Sequence, residues 1–221
     1  MDAAQFWELL QRAHDAAGDD MDRKCEVLKA EIGMLSSNDA NDFAMFFDAM
    51  MDRGYSWELW GAAYVINGGC GGDTFNDFRS SLISRGRSCF ERAIADPDCL
   101  ADGPFDETAW FYEGYQHAVG DAVKAVAGML PGRRHPLPDR PSGEAWVEGD
   151  LPELFPRLYA KFTSNTFDRA AIWPARAAQT PLRRRAWTLA FGRARRWCRK
   201  WDRQGLRILT LLIEVIGRMR R

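Results

Sequence analysis

Alternation of apolar and polar residues, the mark of a half-buried strand, is missing from all 221 residues, which leaves the helix as the regular element this chain encodes. Also missing is a membrane span: the most apolar run, 206–216, is about half of the roughly 20 residues a bilayer demands, and Glu214 interrupts it. Cysteine is sparse and irregular. Cys25, Cys70, Cys89, Cys99 and Cys198 are odd in number and contain no C-x-x-C pair, so they read as reduced thiols rather than a disulfide framework. Histidine occurs three times, at His14, His117 and His135, on separate segments and without H-x-x-x-H or H-E-x-x-H spacing; no metal site and no cofactor are expected. No repeat of solenoid length is found. The opening MDAAQFWELLQRAH reads as an amphipathic helix rather than a targeting segment, and a cytoplasmic protein is expected.

What is present suffices for a folded core, since hydrophobic residues make up 46% of the chain. The net charge of −1 conceals two unlike parts. Residues 1–165 hold 15 basic against 28 acidic residues, a net of −13, whereas residues 166–221 hold 15 basic against 3 acidic, a net of +12. A 1–165 domain followed by a 166–221 extension is the expected organisation.

Apolar spacing places helices along the first part. Phe6, Leu9, Leu10 and Ala13 make the stripe of a first helix stopped by Gly18, and Cys25, Leu28, Ile32 and Leu35 that of a second. Ser36 or Ser37 offers an N-cap to a third helix carrying Phe43, Phe46, Phe47, Met50 and Met51 and ending at Gly54. Ser56 is expected to cap a helix over 57–67, whose Trp57, Trp60 and Tyr64 share one face taken as core, with Gly68 as its left-handed C-cap. Asp73 is expected to cap the next helix, with Phe75, Phe78 and Leu82 inward and Gly86 closing it. A short helix follows through 89–95, then one long helix over 108–130 with Phe111, Tyr115, Ala118, Val119, Ala122 and Val126 inward, ended by Pro131-Gly132. The segment PGRRHPLPDRPSGE is too rich in proline for regular structure and reads as an exposed loop or an arm laid on the surface. A helix over 151–162 closes the domain. The fold class is thus all-α, an irregular multi-helix bundle, with a basic extension that is helical or partly disordered.

Several residues offer chemistry. The loop Gly68-Gly69-Cys70-Gly71-Gly72 could expose backbone amides as an anion nest near Arg79, Arg85 and Arg87. It is no Walker loop, because the Lys-Ser/Thr pair is absent and Asp73 stands where a phosphate would sit. A tight interhelix turn is the competing reading. The Cys70 thiol would be favoured as thiolate by a helix N-terminus and disfavoured by Asp73. Glu107, Glu113 and Asp121 could supply a general acid and base, but spacing does not pair them. Trp110, Phe111 and Tyr112 are consecutive and cannot all point inward, so one of them should reach a partner-facing surface.

Phe6-Trp7, Trp57-x-x-Trp60-x-Ala62-Ala63-Tyr64, Gly68-Gly69-Cys70, Asp73-x-Phe75-x-x-Phe78-Arg79, Leu82-Ile83-x-x-Gly86 and Leu154-Phe155-Pro156-x-Leu158 together resemble a bacterial family catalogued as domain of unknown function 4240. The resemblance covers 1–165 and implies a helical domain without an established activity. The family pattern has acidic residues after the cysteine; here Gly71-Gly72 leaves Asp73 alone, which weakens any paired-acid metal site.

The extension carries Trp187, Ala190, Phe191, Ala194, Trp197, Cys198 and Trp201 on one helical stripe amid arginines. That pattern suits nucleic acid or an anionic membrane, suits return onto the acidic domain, and is also what a shifted reading frame in GC-rich DNA produces.

The expected function is a non-enzymatic protein-interaction domain of accessory or immunity type, with Trp110 and Tyr112 at the partner surface. The alternative is a small-ligand or anion-binding protein or enzyme using Gly69, Cys70, Asp73 and Arg79 with Trp57 and Trp60. Nucleic-acid or membrane binding through 166–221 is the third reading.

Overall fold

In the computed structural model, which describes residues 1–163, every regular element is helical, and the isolated bridge between Ser56 and Ser142 is the one β-type pairing among them. The extension at 166–221 lies outside the described residues. The elements are α1 (Ala3–Ala17), α2 (Met21–Gly33), α3 (Ser37–Arg53), α4 (Trp57–Asn67), α5 (Gly72–Ile83), α6 (Arg87–Ala95), a 3-10 turn (Pro97–Asp102), α7 (Glu107–Trp110), α8 (Gly114–Ala127), a second 3-10 turn (Glu148–Asp150), α9 (Leu151–Leu154) and α10 (Pro156–Thr163). No helix among the described residues is long and apolar enough to cross a membrane.

The starts of these helices follow from short polar side chains that accept from otherwise unpaired amides. Asp2 and Gln5 form a capping box on α1, Asp20 accepts from the Arg23 amide on α2, and Ser36 and Ser56 cap α3 and α4 through Asp39 and Leu59. Behind the caps, the expected stripes converge. α2 packs against α1 and α8, α8 packs against α3, and Phe6, Leu10, Leu28, Phe43, Phe75 and Phe78 are fully buried where they meet.

Three expectations fail for physical reasons. The helix predicted over 108–130 is two helices, because the Tyr112 amide donates to Ser81 Oγ at 3.2 Å on α5 and Phe111 leaves helical geometry. The second piece ends at Gly128 in the left-handed region, before Pro131 is reached. The helix predicted over 151–162 breaks at Phe155, whose backbone leaves helical geometry (φ −132°, ψ 62°) ahead of the proline that follows it, since a residue before proline is disfavoured in the α region.

The proline-rich segment is an arm laid on the surface. Ser142 exchanges backbone hydrogen bonds with Tyr55 and Trp57 at 2.9 Å each, and Trp146 Nε1 donates to the Trp57 carbonyl at 2.7 Å. α10 docks differently: buried Asp98 accepts from the Arg157 and Leu158 amides at 3.1 and 2.9 Å, so a carboxylate nearly 60 residues upstream caps that helix.

Gly61 is a place on α4 where later segments pack directly on the backbone, with no room for a side chain. A Cβ there would meet Phe155 Cε2 at 2.6 Å and Trp146 Nε1 at 2.9 Å. Gly61→Ala is therefore expected to destabilise the protein by about 1–3 kcal/mol through overpacking, even though alanine is the better helix former by about 1 kcal/mol. Gly120→Ala in α8, where only Leu130 Cδ1 at 3.9 Å faces the added methyl, is expected to stabilise by up to about 1 kcal/mol. Urea denaturation of the two variants checks this; effects of the same sign would contradict the close-approach reading.

Candidate functional site

The signature segment folds as a helix, a glycine turn and a second helix, and the backbone groups of the turn at Gly68–Cys70 are taken by the protein itself. Gly68 adopts φ 64°, its amide returns to Val65 O, and the Gly69 amide returns to Tyr64 O at 2.9 Å. This double return closes the C-terminus of α4, so the two amides that would begin an anion nest are already donating. Trp60 Nε1 holds the Cys70 carbonyl at 2.9 Å and Asn67 Nδ2 the Gly69 carbonyl at 2.9 Å. Burial, with Asp77 adding, pushes the Cys70 thiol up to about 12, so it stays protonated near neutrality.

Trp57, Trp60 and Tyr64 are half-buried rather than central; Leu59, Ala62, Ala63 and Ile66 form the deep face of α4. The tryptophans are covered from outside by stacking. Trp57 lies on Trp60, Trp60 on Phe75 at 4.8 Å, and Trp146 meets both Trp57 and Tyr64 edge-on.

Asp73 is a correction to the expected cap. The N-cap of α5 is Gly71, with no side-chain cap, and Asp73 sits in the first turn. Arg79 is buried and turns away from it: the guanidinium packs over Tyr55 and Phe75 and donates to the Met51 carbonyl and to Asn76 Oδ1. Desolvation brings it down to about 10. Asp73 and Arg79 thus serve different surroundings. Of the aromatic triplet, Trp110 is buried, whereas Phe111 and Tyr112 are half-buried; the Tyr112 hydroxyl donates to Asp22 at 2.5 Å.

Asp73 faces a cleft of about 420 Å³ between α5 and α8. Asp73, Asn76 and Asp77 line one side, and Glu113, His117, Asp121 and Lys124 the other, with Leu130 at the margin. Four carboxylates stand against one lysine, and none of the four is in an ion pair among the described residues. The Asp77 carboxyl is held above its ordinary value by burial and then by Glu113 and Asp73, while His117 opposes the shift. Leu130 and its neighbour Met129 are exposed at 43% and 72%, which sets an apolar step beside the acidic walls. Glu113 and Asp121 carry no pairing signal in their own spacing; the one-turn spacing of Asp73 and Asp77 on α5 is the sequence signal for the opposite wall.

A family model described as a protein of unknown function, DUF4240, matches residues 1–125. The chain belongs to this family. The match takes in both walls of the acidic cleft and stops before the proline-rich arm, so Leu154-Phe155-Pro156-x-Leu158 lies outside it. No curated protein and no solved structure is similar to the chain.

A second polar group, missed in the sequence, lies where α1, α2 and the end of α5 meet. Lys24 is fully buried on the apolar stripe of α2, and its Nζ reaches Ser84 Oγ at 3.4 Å. Arg85 stacks on Trp110 with its Cζ 3.9 Å from the ring centroid and pairs with Asp19 at 2.8 Å. Burial, with Lys24 and Arg85 adding, keeps His14 below its ordinary value.

Burial and the Arg85 charge pull the Lys24 ammonium from 10.5 down to about 8. Below pH 8 the folded and unfolded chains both hold the proton and the full penalty of the buried cation is present; between 8 and 10.5 the folded chain alone has released it, so stability rises with pH across that window. Lys24→Met is therefore expected to be more stable than wild type at pH 7 by roughly 2–3 kcal/mol. The gap should narrow as pH is raised through that window. Urea denaturation at both ends of it is the check, and a gap independent of pH would refute the assignment.

Proposed function

We propose that the domain is a non-enzymatic protein-interaction module, and that the cleft between α5 and α8 receives a basic segment of another protein. The observation that carries this reading is the cleft itself. Asp73 and Asp77 project from α5, Asp121 from α8 and Glu113 from the N-cap of α8, with one lysine among them, and uncompensated negative charge in a concave wall focuses an attractive field on cations. Exposed Met129 and Leu130 at the margin add the apolar anchor that a protein partner uses and a simple cation does not. The net charge of −13 over residues 1–165 extends the same bias over the whole domain and disfavours nucleic acid there. The family match carries no activity, and the reading rests on the cleft alone.

Glu113, at the N-cap of α8, and Asp121, on α8, are exposed in the cleft wall, so reversing them should leave the core intact. With the full chain as bait in nuclease-treated lysate of its host, wild type is expected to retain a basic protein that E113K/D121K does not, and that is released as ionic strength rises. Purified partner and bait should then show a loss of at least tenfold in affinity for the variant, or about 1.4 kcal/mol. Equal retention by wild type and variant would remove the cleft from the interaction.

A further inference from the structure

We propose that Lys24, Arg85 and His14 form a binding site for a small oxyanion of the phosphate class, guarded by Asp19. The site is distinct from the acidic cleft and uses other residues. Its first element is the Arg85 guanidinium, whose side chain is 10% exposed. Nη1 is taken by Asp19, but Nε and Nη2 are buried and have no hydrogen-bond partner among the described residues. Those two nitrogens are the side-on fork with which an arginine grips two oxygens of one oxyanion in parallel. Trp110 fixes the plane of the fork by stacking on it.

The second element is Lys24, fully buried, with a single 3.4 Å contact to Ser84 Oγ from a group that carries three donors. The third is His14, whose Nδ1 is buried and likewise without a partner. The three groups belong together: Ser84, which touches Lys24, precedes Arg85 in the chain, and the Lys24 and Arg85 charges both act on His14. Buried polar atoms in folded proteins are nearly always paired. Here two cations and an imidazole lie within electrostatic reach of one another with several donors unmet, and the acid that pairs with Arg85 among the described residues, Asp19, is itself 42% exposed. Water would satisfy the donors but not the charge, whereas an oxyanion does both. α6 adds to the positive potential, since it begins two residues after Arg85 with neither a side-chain cap nor an acid in its first turn.

Asp19 gives the site its entry. It lies on the short turn between α1 and α2, and it opposes an incoming anion by holding one side of Arg85. Removing its charge should strengthen binding, and removing Lys24 should weaken it.

Calorimetric titration of the full chain with inorganic phosphate and, in parallel, with phosphoserine tests the site, against chloride at matched ionic strength. Wild type is expected to bind saturably, Asp19→Asn about tenfold more tightly, and Lys24→Met at least tenfold more weakly, about 1.4 kcal/mol in each direction. Lys24→Met is expected to fold more stably than wild type, so its loss of binding would not be a loss of fold. The arginines of 166–221 are present in all three proteins and cancel in the comparison. Tighter phosphoserine binding in the same pattern marks a phosphorylated ligand, and tighter phosphate binding marks the free ion. Wild type that binds neither, or variants that bind as wild type does, would overturn the proposal.

Discussion

A column of aromatic rings ties α4, α5 and α7 to the last helix, and the later segments of the domain are arranged along it. Trp57, Trp60, Phe75, Phe78, Trp110, Phe105 and Phe162 follow one another at centroid distances of 4.8 to 6.3 Å, from the start of α4 to the last helix. Each pair contributes about 0.5–1.5 kcal/mol beyond simple burial, and the pairs Trp60–Phe75, Phe78–Trp110 and Phe105–Phe162 join segments distant in sequence. The column explains why α7 stops after one turn: Trp110 must lie against Phe78 while the chain turns so that Tyr115 can enter the core of α8. It also provides the faces on which two arginines lie, Arg79, which is buried, over Phe75 and Arg85 over Trp110.

Charge is partitioned around this column in an unusual sense. Carboxylates dominate the surface and concentrate in the α5–α8 cleft, while Lys24, Arg79 and Arg85 are withdrawn into the interior. Arg79 is largely satisfied by the Met51 carbonyl, Asn76 and two aromatic faces. Lys24 and Arg85 are not, and a buried cation with unmet donors costs several kcal/mol. The unmet donors of Lys24 and Arg85, rather than any packing need, are what single this place out from the rest of the core. The outer acids and inner cations thus set charge of opposite sign in two separate places, one open to solvent and one largely enclosed.

The local features of the fold were legible because they depend on neighbours in sequence. Ser56 and Gly68 bound α4 as expected, since an N-cap oxygen and a left-handed glycine act within one turn of their own helix. Phe75, Phe78 and Leu82 are the inner face of α5 for the same reason of periodicity. Asp73 was misplaced because a glycine with extended backbone, Gly71, serves as N-cap without any side chain. The acidic cleft was half legible. Glu113 and Asp121 stood out as carboxylates, but nothing in the spacing of α8 says that α5 would bring Asp73 and Asp77 opposite them. Lys24 was invisible, because a lysine on an apolar stripe normally extends its ammonium to solvent.

By itself, then, the sequence determined the helical class, the helix limits set by Ser, Asp and Gly, the apolar stripes and the family, since these rest on periodicity, local hydrogen bonding and motif. Tertiary structure alone decided that Ser81 would take the Tyr112 amide and divide a helix, that Asp98 would cap α10 from a distant turn, and that Trp146 would cover the signature tryptophans. It likewise decided which charges face one another across the cleft and which are buried beside α1. Hydrogen bonds and electrostatic contacts between distant segments depend on where the chain returns, and the composition of either segment does not encode that.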